Sequence, residues 1–343
     1  MWPVVGHETA VARLKRSLEK GKLGHAYLIS GPPRMGKMTL ALTLAQALNC
    51  SSPEAPCGVC SQCQRIASLS HPDVQVVALG AASSDDEARS RTEISIKQVR
   101  EDIQHWANLP PFEGGYRVFI IGEAELLSSE AANCLLKTLE EPQPKVLFIL
   151  LTSEPARLPE TVISRCQRLD LKPVAAGKIE GELLKQGAAA EKARLLGRLC
   201  RGRPGWAMAA IADESLLERR AERIERLIDV TLGNFETRFE YAGELSARFS
   251  QKRDEVQETL QEWMSLWRDI LLVKAGLPES ITNLDYAGRL QTLADGFNIS
   301  QLRAAIGAIG LARKQLRQNA SPRLVLEVLI LDMPAAHKKF VKP

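Results

Sequence analysis

Aromatic residues are scarce in this sequence, 5% of its 343 positions. So few rings argue against a surface that works by stacking on nucleic-acid bases. Charge of one sign is lacking too: the formal net charge is +4, which does not mark a strongly basic nucleic-acid binder. No long hydrophobic run occurs, and the longest unbroken stretch, Val146 to Leu151, is far too short to cross a bilayer. The opening residues Met1-Trp2-Pro3-Val4-Val5-Gly6-His7-Glu8 lack the positive start and apolar core of a secretory signal, which predicts a cytoplasmic protein with reduced thiols. No Ser/His/Asp or Cys/His nucleophile arrangement stands out, nor does a carboxylate pair suited to hydrolysis. What is present, 45% hydrophobic and 25% charged residues, describes a globular chain too long for one core, so two or three domains are expected.

The seven cysteines are unevenly spread. Cys50, Cys57, Cys60 and Cys63 crowd together while Cys134, Cys166 and Cys200 stand alone, and in a reducing compartment such clustering points to metal. Four thiolates complete a tetrahedral Zn²⁺ shell and leave no position for water, so the ion expected here is structural. Free thiols, a transient disulfide and an iron–sulfur cluster are the alternatives, the last without redox chemistry elsewhere to support it. His71, before Pro72, reads as a turn residue and not a further ligand. Cys134 and Cys200 read as small core residues.

Short apolar runs separated by amphipathic stretches predict strands of a largely parallel sheet at Ala26–Ser30, Val74–Ala78, Arg117–Ile121, Val146–Thr152 and Gln167–Leu171. Ala132, Leu135, Leu136 and Leu139 mark one face of a helix capped by Ser128 or Ser129 and closed before Pro142. The polar stretch 81–91 reads as an exposed loop. Short helices broken at Gly187 and at 201–205 follow, and from Asp213 onward the pattern is helical. There Leu260, Trp263, Met264, Trp267 and Leu271 form an apolar stripe, and Ser321-Pro322 opens a last helix. Trp263 and Trp267 read as core residues and not as a base-stacking pair. The expected domains are a core over 1–171 with a cysteine insert at 50–63, a small helical unit over 172–212 and a helical domain over 213–343.

After the first strand comes Gly31-Pro32-Pro33-Arg34-Met35-Gly36-Lys37-Met38-Thr39. A strand, a glycine loop and a helix N-terminus can hold phosphate through backbone N–H groups, with Lys37 adding a charge. Gly31, Gly36, Lys37 and Thr39 are the candidate contacts. Met38, however, stands where a hydroxyl should ligate Mg²⁺, and Thr39 is one residue late. In the later run Val118-Phe119-Ile120-Ile121-Gly122-Glu123, Gly122 replaces the aspartate that would help hold the metal. Glu123 is either the remnant of an acidic motif or a strand-end surface carboxylate. His25 reads as a structural histidine, with a place near a nucleotide base as the alternative. Lys338, Lys339 and Lys342 read as a solvated tail or a DNA phosphate contact.

The run Ser128-Ser129-Glu130-Ala131-Ala132-Asn133-Cys134-Leu135-Leu136-Lys137-Thr138-Leu139-Glu140-Glu141-Pro142, followed by Ile163-Ser164-Arg165-Cys166, resembles the sliding-clamp loader subunits of the AAA+ superfamily, and Asn319-Ala320-Ser321-Pro322-Arg323 extends the likeness to the last helix. The resemblance implies an α/β AAA+ nucleotide-binding core with a parallel sheet, a small helical lid domain and an all-α C-terminal collar domain. It implies a ring-like hetero-oligomer with ATP and Mg²⁺ between neighbours, in which Arg165 is the arginine finger offered to the next subunit's triphosphate. A structural ion pair is the other reading of Arg165. Where the family expects a γ-phosphate-sensing arginine, Gly205 stands, with Arg203 offset. The implied function is that of a largely non-hydrolysing subunit of the bacterial DNA polymerase III clamp loader, relatively fixed beside its ATP-driven neighbours. Its implied partners are gamma/tau-type ATPase subunits, a delta-type subunit, the sliding clamp and primed DNA during DNA replication. The alternative is a subunit that itself hydrolyses ATP through Lys37, Thr39 and Glu123.

Overall fold

Strands that are apolar without interruption must be covered on both faces, and this sets the architecture of the first half. The computed structural model describes residues 2–79, 93–113, 115–318 and 320–334; the expected loop 81–91, Asn319 and the basic residues Lys338, Lys339 and Lys342 lie outside them. After α1 (Glu8–Glu19) come β1 (Ala26–Ser30), α2 (Lys37–Asn49), α3 (Ser61–Ala67), β2 (Val74–Val77), β3 (Arg117–Ile121), α4 (Ser129–Glu140), β4 (Val146–Thr152) and β5 (Gln167–Asp170). The strands form one sheet ordered β2-β3-β4-β1-β5, and every pairing is parallel. This is the parallel α/β core that the resemblance implies. β1, β3 and β4 have the predicted bounds, while β2 and β5 each stop one residue short.

Alternation along the strands feeds two cores. Leu28, Phe119, Ile121, Phe148 and Leu150 share one with Leu135 and Leu139 of α4. Tyr27, Ile29, Val118, Ile120, Leu147 and Ile149 share the other with Leu40 and Leu44 of α2. The Ser128 side chain accepts from Ala131 N at 3.1 Å and caps α4. A buried ion pair fixes the sheet edge: Asp73 accepts from Arg117 Nη2 at 2.9 Å and from the backbone of Phe112 and Glu113 at 2.7 and 2.8 Å.

The chain divides into two compact units, residues 1–185 with 202–206, and residues 186–201 with 207–343. The stretch 172–212, expected as a small helical unit, contributes to both; it carries α5 (Ala176–Lys185), α6 (Ala190–Leu199) and α7 (Pro204–Ala212). The second unit continues with α8 (Ser215–Leu232), α9 (Phe235–Phe249), α10 (Arg253–Lys274), α11 (Ala287–Asp295), α12 (Ile299–Arg317) and α13 (Pro322–Asp332). Trp263 and Trp267 are buried in its core, as expected, and Trp267 meets Phe297 edge-on with ring centroids 5.0 Å apart.

Two polar knots hold this unit together. Arg238, buried on α9, donates to Val230 O (3.1 Å) and Thr231 O (2.7 Å) at the end of α8, and to Met333 O (3.2 Å) and Pro334 O (3.1 Å) just past α13. One guanidinium thus serves the negative ends of two helices. On α10, fully buried Asp269 accepts at Oδ2 from Thr282 N (2.8 Å), Asn283 N (2.7 Å) and Asn283 Nδ2 (2.7 Å). Truncating it strands those donors away from water. Asp269→Ala is expected to destabilise the helical unit by about 3–5 kcal/mol, whereas Glu240→Ala on an exposed face of α9 changes it by about 0.5 kcal/mol or less. Urea unfolding followed by tryptophan fluorescence distinguishes the two, and equal midpoints would show that Asp269 holds nothing.

Candidate functional site

All strands run the same way, so the loops after β1, β3 and β4 leave from one end of the sheet, the end at which open α/β sheets bind ligands. β1 lies beside β4 with Ser30 level with Thr152, which brings Ser153 next to the glycine loop. His25 precedes β1 and is exposed at the opposite end from the loop, where its carbonyl accepts from Phe148 N at 2.9 Å.

Gly31 has φ 150°, and a Cβ there would lie 2.7 Å from Leu171 O, so glycine lets the loop start this close to the end of β5. Gly36, with φ 91°, caps α2. Lys37, the first residue of that helix, donates from Nζ to Gly31 O (2.5 Å), Pro32 O (3.0 Å) and Ser153 Oγ (3.1 Å). Burial pushes its amine down to about 8, against the opposing pull of Glu125 and Glu123.

Met38 lies partly buried against the core beneath α2, an apolar side chain where the metal would need an oxygen, and Thr39 is exposed. Gly122 donates its N–H to Val77 O at 2.8 Å, and a Cβ on it would come within 3.3 Å of the Ala78 methyl, so an aspartate there would press on β2's continuation. Glu123 follows β3 in a left-handed conformation, φ 50°, with its side chain exposed; its charge reaches Lys37. Gly205, where an arginine would sense γ-phosphate, donates to Arg34 O at 3.0 Å. A Cβ at Gly205 would stand 2.8 Å from that same oxygen, so the position takes no side chain unless the loop moves.

Three neighbours of the loop escape the sequence reading. Ser153 N donates to Glu125 Oε1 at 3.0 Å, and His7 Nε2 pairs with Met35 O at 3.1 Å. Ser153 follows from the register of β1 and β4, because the residue after β4 must lie beside the loop after β1. Glu125, two residues past Glu123, and His7, remote in sequence, carry no such signal.

Arg165 sits past the short helix Glu160–Ile163. Its Nη1 donates to Thr161 O at 2.8 Å and its Nη2 to Glu140 Oε1 at the end of α4. Both partners are partly exposed, the side chains 34% and 49% accessible.

The four clustered cysteines converge as expected. Cys50, Cys57, Cys60 and Cys63 offer sulfurs that all lie within 4.8 Å of one another, with Cys50 Sγ 3.5 Å from Cys57 Sγ and 3.9 Å from Cys60 Sγ. Sulfurs at the corners of a tetrahedron with metal–sulfur bonds of about 2.3 Å are about 3.8 Å apart, so the donor set fits a metal ion. Cys60 also caps α3, and the N–H of Cys63 draws its thiol down to about 5, while burial pushes Cys63 up to about 12. His71 stays outside the sulfur cluster: it is buried, with Nε2 on Gln62 Oε1 at 2.6 Å and Nδ1 accepting from Asp73 N at 3.0 Å. Cys200 is a buried core residue as read, and Cys134 packs partly buried against the core.

Two family models match the chain, one described as "DNA polymerase III, delta subunit" over residues 6–175 and one as "DNA polymerase III, delta subunit, C terminal" over residues 218–334. The chain is similar to DNA polymerase III subunit delta' of Bacillus subtilis, 29% identical over 93% of each chain. It is similar also to DNA polymerase III subunit tau of Escherichia coli, 28% identical over 99% of this chain and 54% of that protein. A solved structure of a DNA polymerase III gamma subunit-related protein from Thermotoga maritima aligns over 94% of this chain and 97% of that one, with 17% identity and a TM-score of 0.43.

The amine of Lys37 carries a prediction of its own. With the folded-state value near 8 and the unfolded value near 10.4, the unfolded chain holds a proton that the folded chain has released, so this group makes stability rise with pH between those values. Acylation of Lys37, followed by peptide mass spectrometry across pH, is expected to show a midpoint near 8. A midpoint near the unfolded value of about 10.4 would refute the burial.

Proposed function

Because the chain belongs to the DNA polymerase III delta-prime family of clamp-loader subunits, we propose that it works as a largely non-hydrolysing AAA+ subunit that supplies Arg165 to a neighbouring ATPase subunit and helps load the sliding clamp onto primed DNA. The observation that carries this reading is a pairing of gain and loss. Both oxygen ligands for Mg²⁺ are replaced, by Met38 and Gly122, yet a finger arginine stands ready on a surface pair. An exposed pair such as Arg165 with Glu140 is worth about 1 kcal/mol or less, so the guanidinium leaves it readily for a triphosphate. Its fixed charge then answers the charge growing on the neighbour's γ-phosphate, with ATP and Mg²⁺ held at that neighbour.

Gamma/tau-type and delta-type subunits are the partners that this reading requires, and the helical unit offers them a surface. On α13, Leu324, Val328 and Leu331 are exposed at 62%, 43% and 59%, spaced along one face. On α9, which packs on α13, Phe235 and Phe239 are exposed as well. Faces of this kind suit a collar between subunits. The cysteine cluster fits structural Zn²⁺, and the setting is the cytoplasm, where the chromosome is replicated.

Two experiments test these assignments. In the reconstituted clamp loader, Arg165→Ala should cut ATP turnover roughly tenfold or more while Glu140→Ala leaves it intact; undiminished turnover and clamp loading with Arg165→Ala would end the finger assignment. Elemental analysis of the purified chain should find one zinc per molecule, lost in Cys63→Ser. A full zinc content in that variant, or none in the parent, would rule the site out.

A further inference from the structure

An ammonium group has three N–H donors, and Lys37 spends three hydrogen bonds inside its own loop, on Gly31 O, Pro32 O and Ser153 Oγ. A phosphate can reach this lysine only by displacing one of them. Ser153 joins the lysine to a carboxylate: its hydroxyl accepts from Lys37 at 3.1 Å, and its N–H donates to Glu125 Oε1 at 3.0 Å. The other oxygen, Glu125 Oε2, is buried and has no hydrogen-bond partner. Glu125 is also the first of the two carboxylates whose charge pulls on the lysine amine.

In a working phosphate loop this space receives a polyanion. Here the chain has put an anion of its own beside the lysine, and like charges crowded into a partly desolvated site repel strongly. Ser153 N–H, a donor otherwise free to meet a ligand, is already taken. We infer that Glu125 is an internal counter-anion of the glycine loop, which holds Ser153 against the Lys37 ammonium and keeps triphosphates off this subunit. It is a positioning residue, and it acts through Lys37 and Ser153. The role is separate from the losses at Met38 and Gly122: those remove the metal, whereas Glu125 opposes the nucleotide even when no metal is present.

The inference rests on the reading that this subunit runs no ATP cycle of its own, and the two fail separately. Failure of that reading would appear as Mg²⁺-dependent ATP hydrolysis by the isolated chain that Lys37→Ala abolishes, whereas this one is decided by equilibrium binding of nucleotide to the same full-length chain. Fluorescently labelled ATP is titrated into the parent, Glu125→Gln and Glu125→Gln with Lys37→Ala, once in EDTA and once in Mg²⁺. Glutamine keeps an oxygen for Ser153 N and removes the charge; Glu125→Ala serves if the glutamine variant does not fold. Glu125→Gln is expected to bind ATP at least about tenfold more tightly than the parent, in EDTA as well as in Mg²⁺, and the added Lys37→Ala should abolish the gain. The acylation midpoint of Lys37 should also move to lower pH in Glu125→Gln, a change that a merely structural role would not produce. Unchanged affinity or an unmoved midpoint overturns the inference. So does a variant that loses Mg²⁺-dependent binding present in the parent, since Glu125 would then be a metal ligand.

Discussion

A lysine withdrawn from water has to be answered by oxygens, and in this chain all the answers come from within. Lys37 ties the end of β1, the turn of the glycine loop and the residue after β4 into one hydrogen-bonded set. Ser153 is bonded to the lysine on one side and to Glu125 on the other, while Gly31 lies tight against the end of β5 and Gly205 against Arg34. A loop built to wrap phosphate is thus complete without one. This agrees with the proposed role, in which the subunit offers a charge outward at Arg165 and runs no ATP cycle of its own.

Much of this was legible in the sequence because the relevant signals are short-ranged. β1, β3 and β4 were legible because their largely apolar runs are buried along their whole length, whereas edge strand β5, Gln167-Arg168-Leu169-Asp170, buries only Leu169. The Ser128 cap and the stop before Pro142 bounded α4 because capping is settled within a turn. The cysteine cluster converged because its ligands are close in sequence and a turn suffices to bring their sulfurs together. Where distance in sequence matters, legibility falls. Glu125 reads as one of many acidic residues until Ser153 arrives from β4, and His7 gives no hint that it meets Met35. His25 precedes β1 while the loop follows it, so the order of residues already sets the two at opposite ends of the strand; that its side chain is exposed was not legible.

The ion pair observed at Arg165 does not conflict with the finger role proposed for it. It does sit in an ion pair, with Glu140, as a surface arginine would. Partial exposure makes that pair a resting place and not a commitment, since water already shares both charges. The contrast with Asp73 and Arg117 is instructive: that pair is buried and bound to backbone N–H groups as well, and it holds the chain around Phe112 and Glu113 in place. The same chemistry is structural when dry and exchangeable when wet.

The guanidinium of Arg238 sets an order of events during synthesis. Its bonds to Val230 and Thr231 link positions seven or eight apart and can form as soon as that stretch leaves the ribosome, whereas those to Met333 and Pro334 reach across 95 and 96 positions. Until those later residues are made, two of its donors have only water or a chaperone to satisfy them. The guanidinium can therefore join α9 to the end of α13 only after residues 333 and 334 have been made.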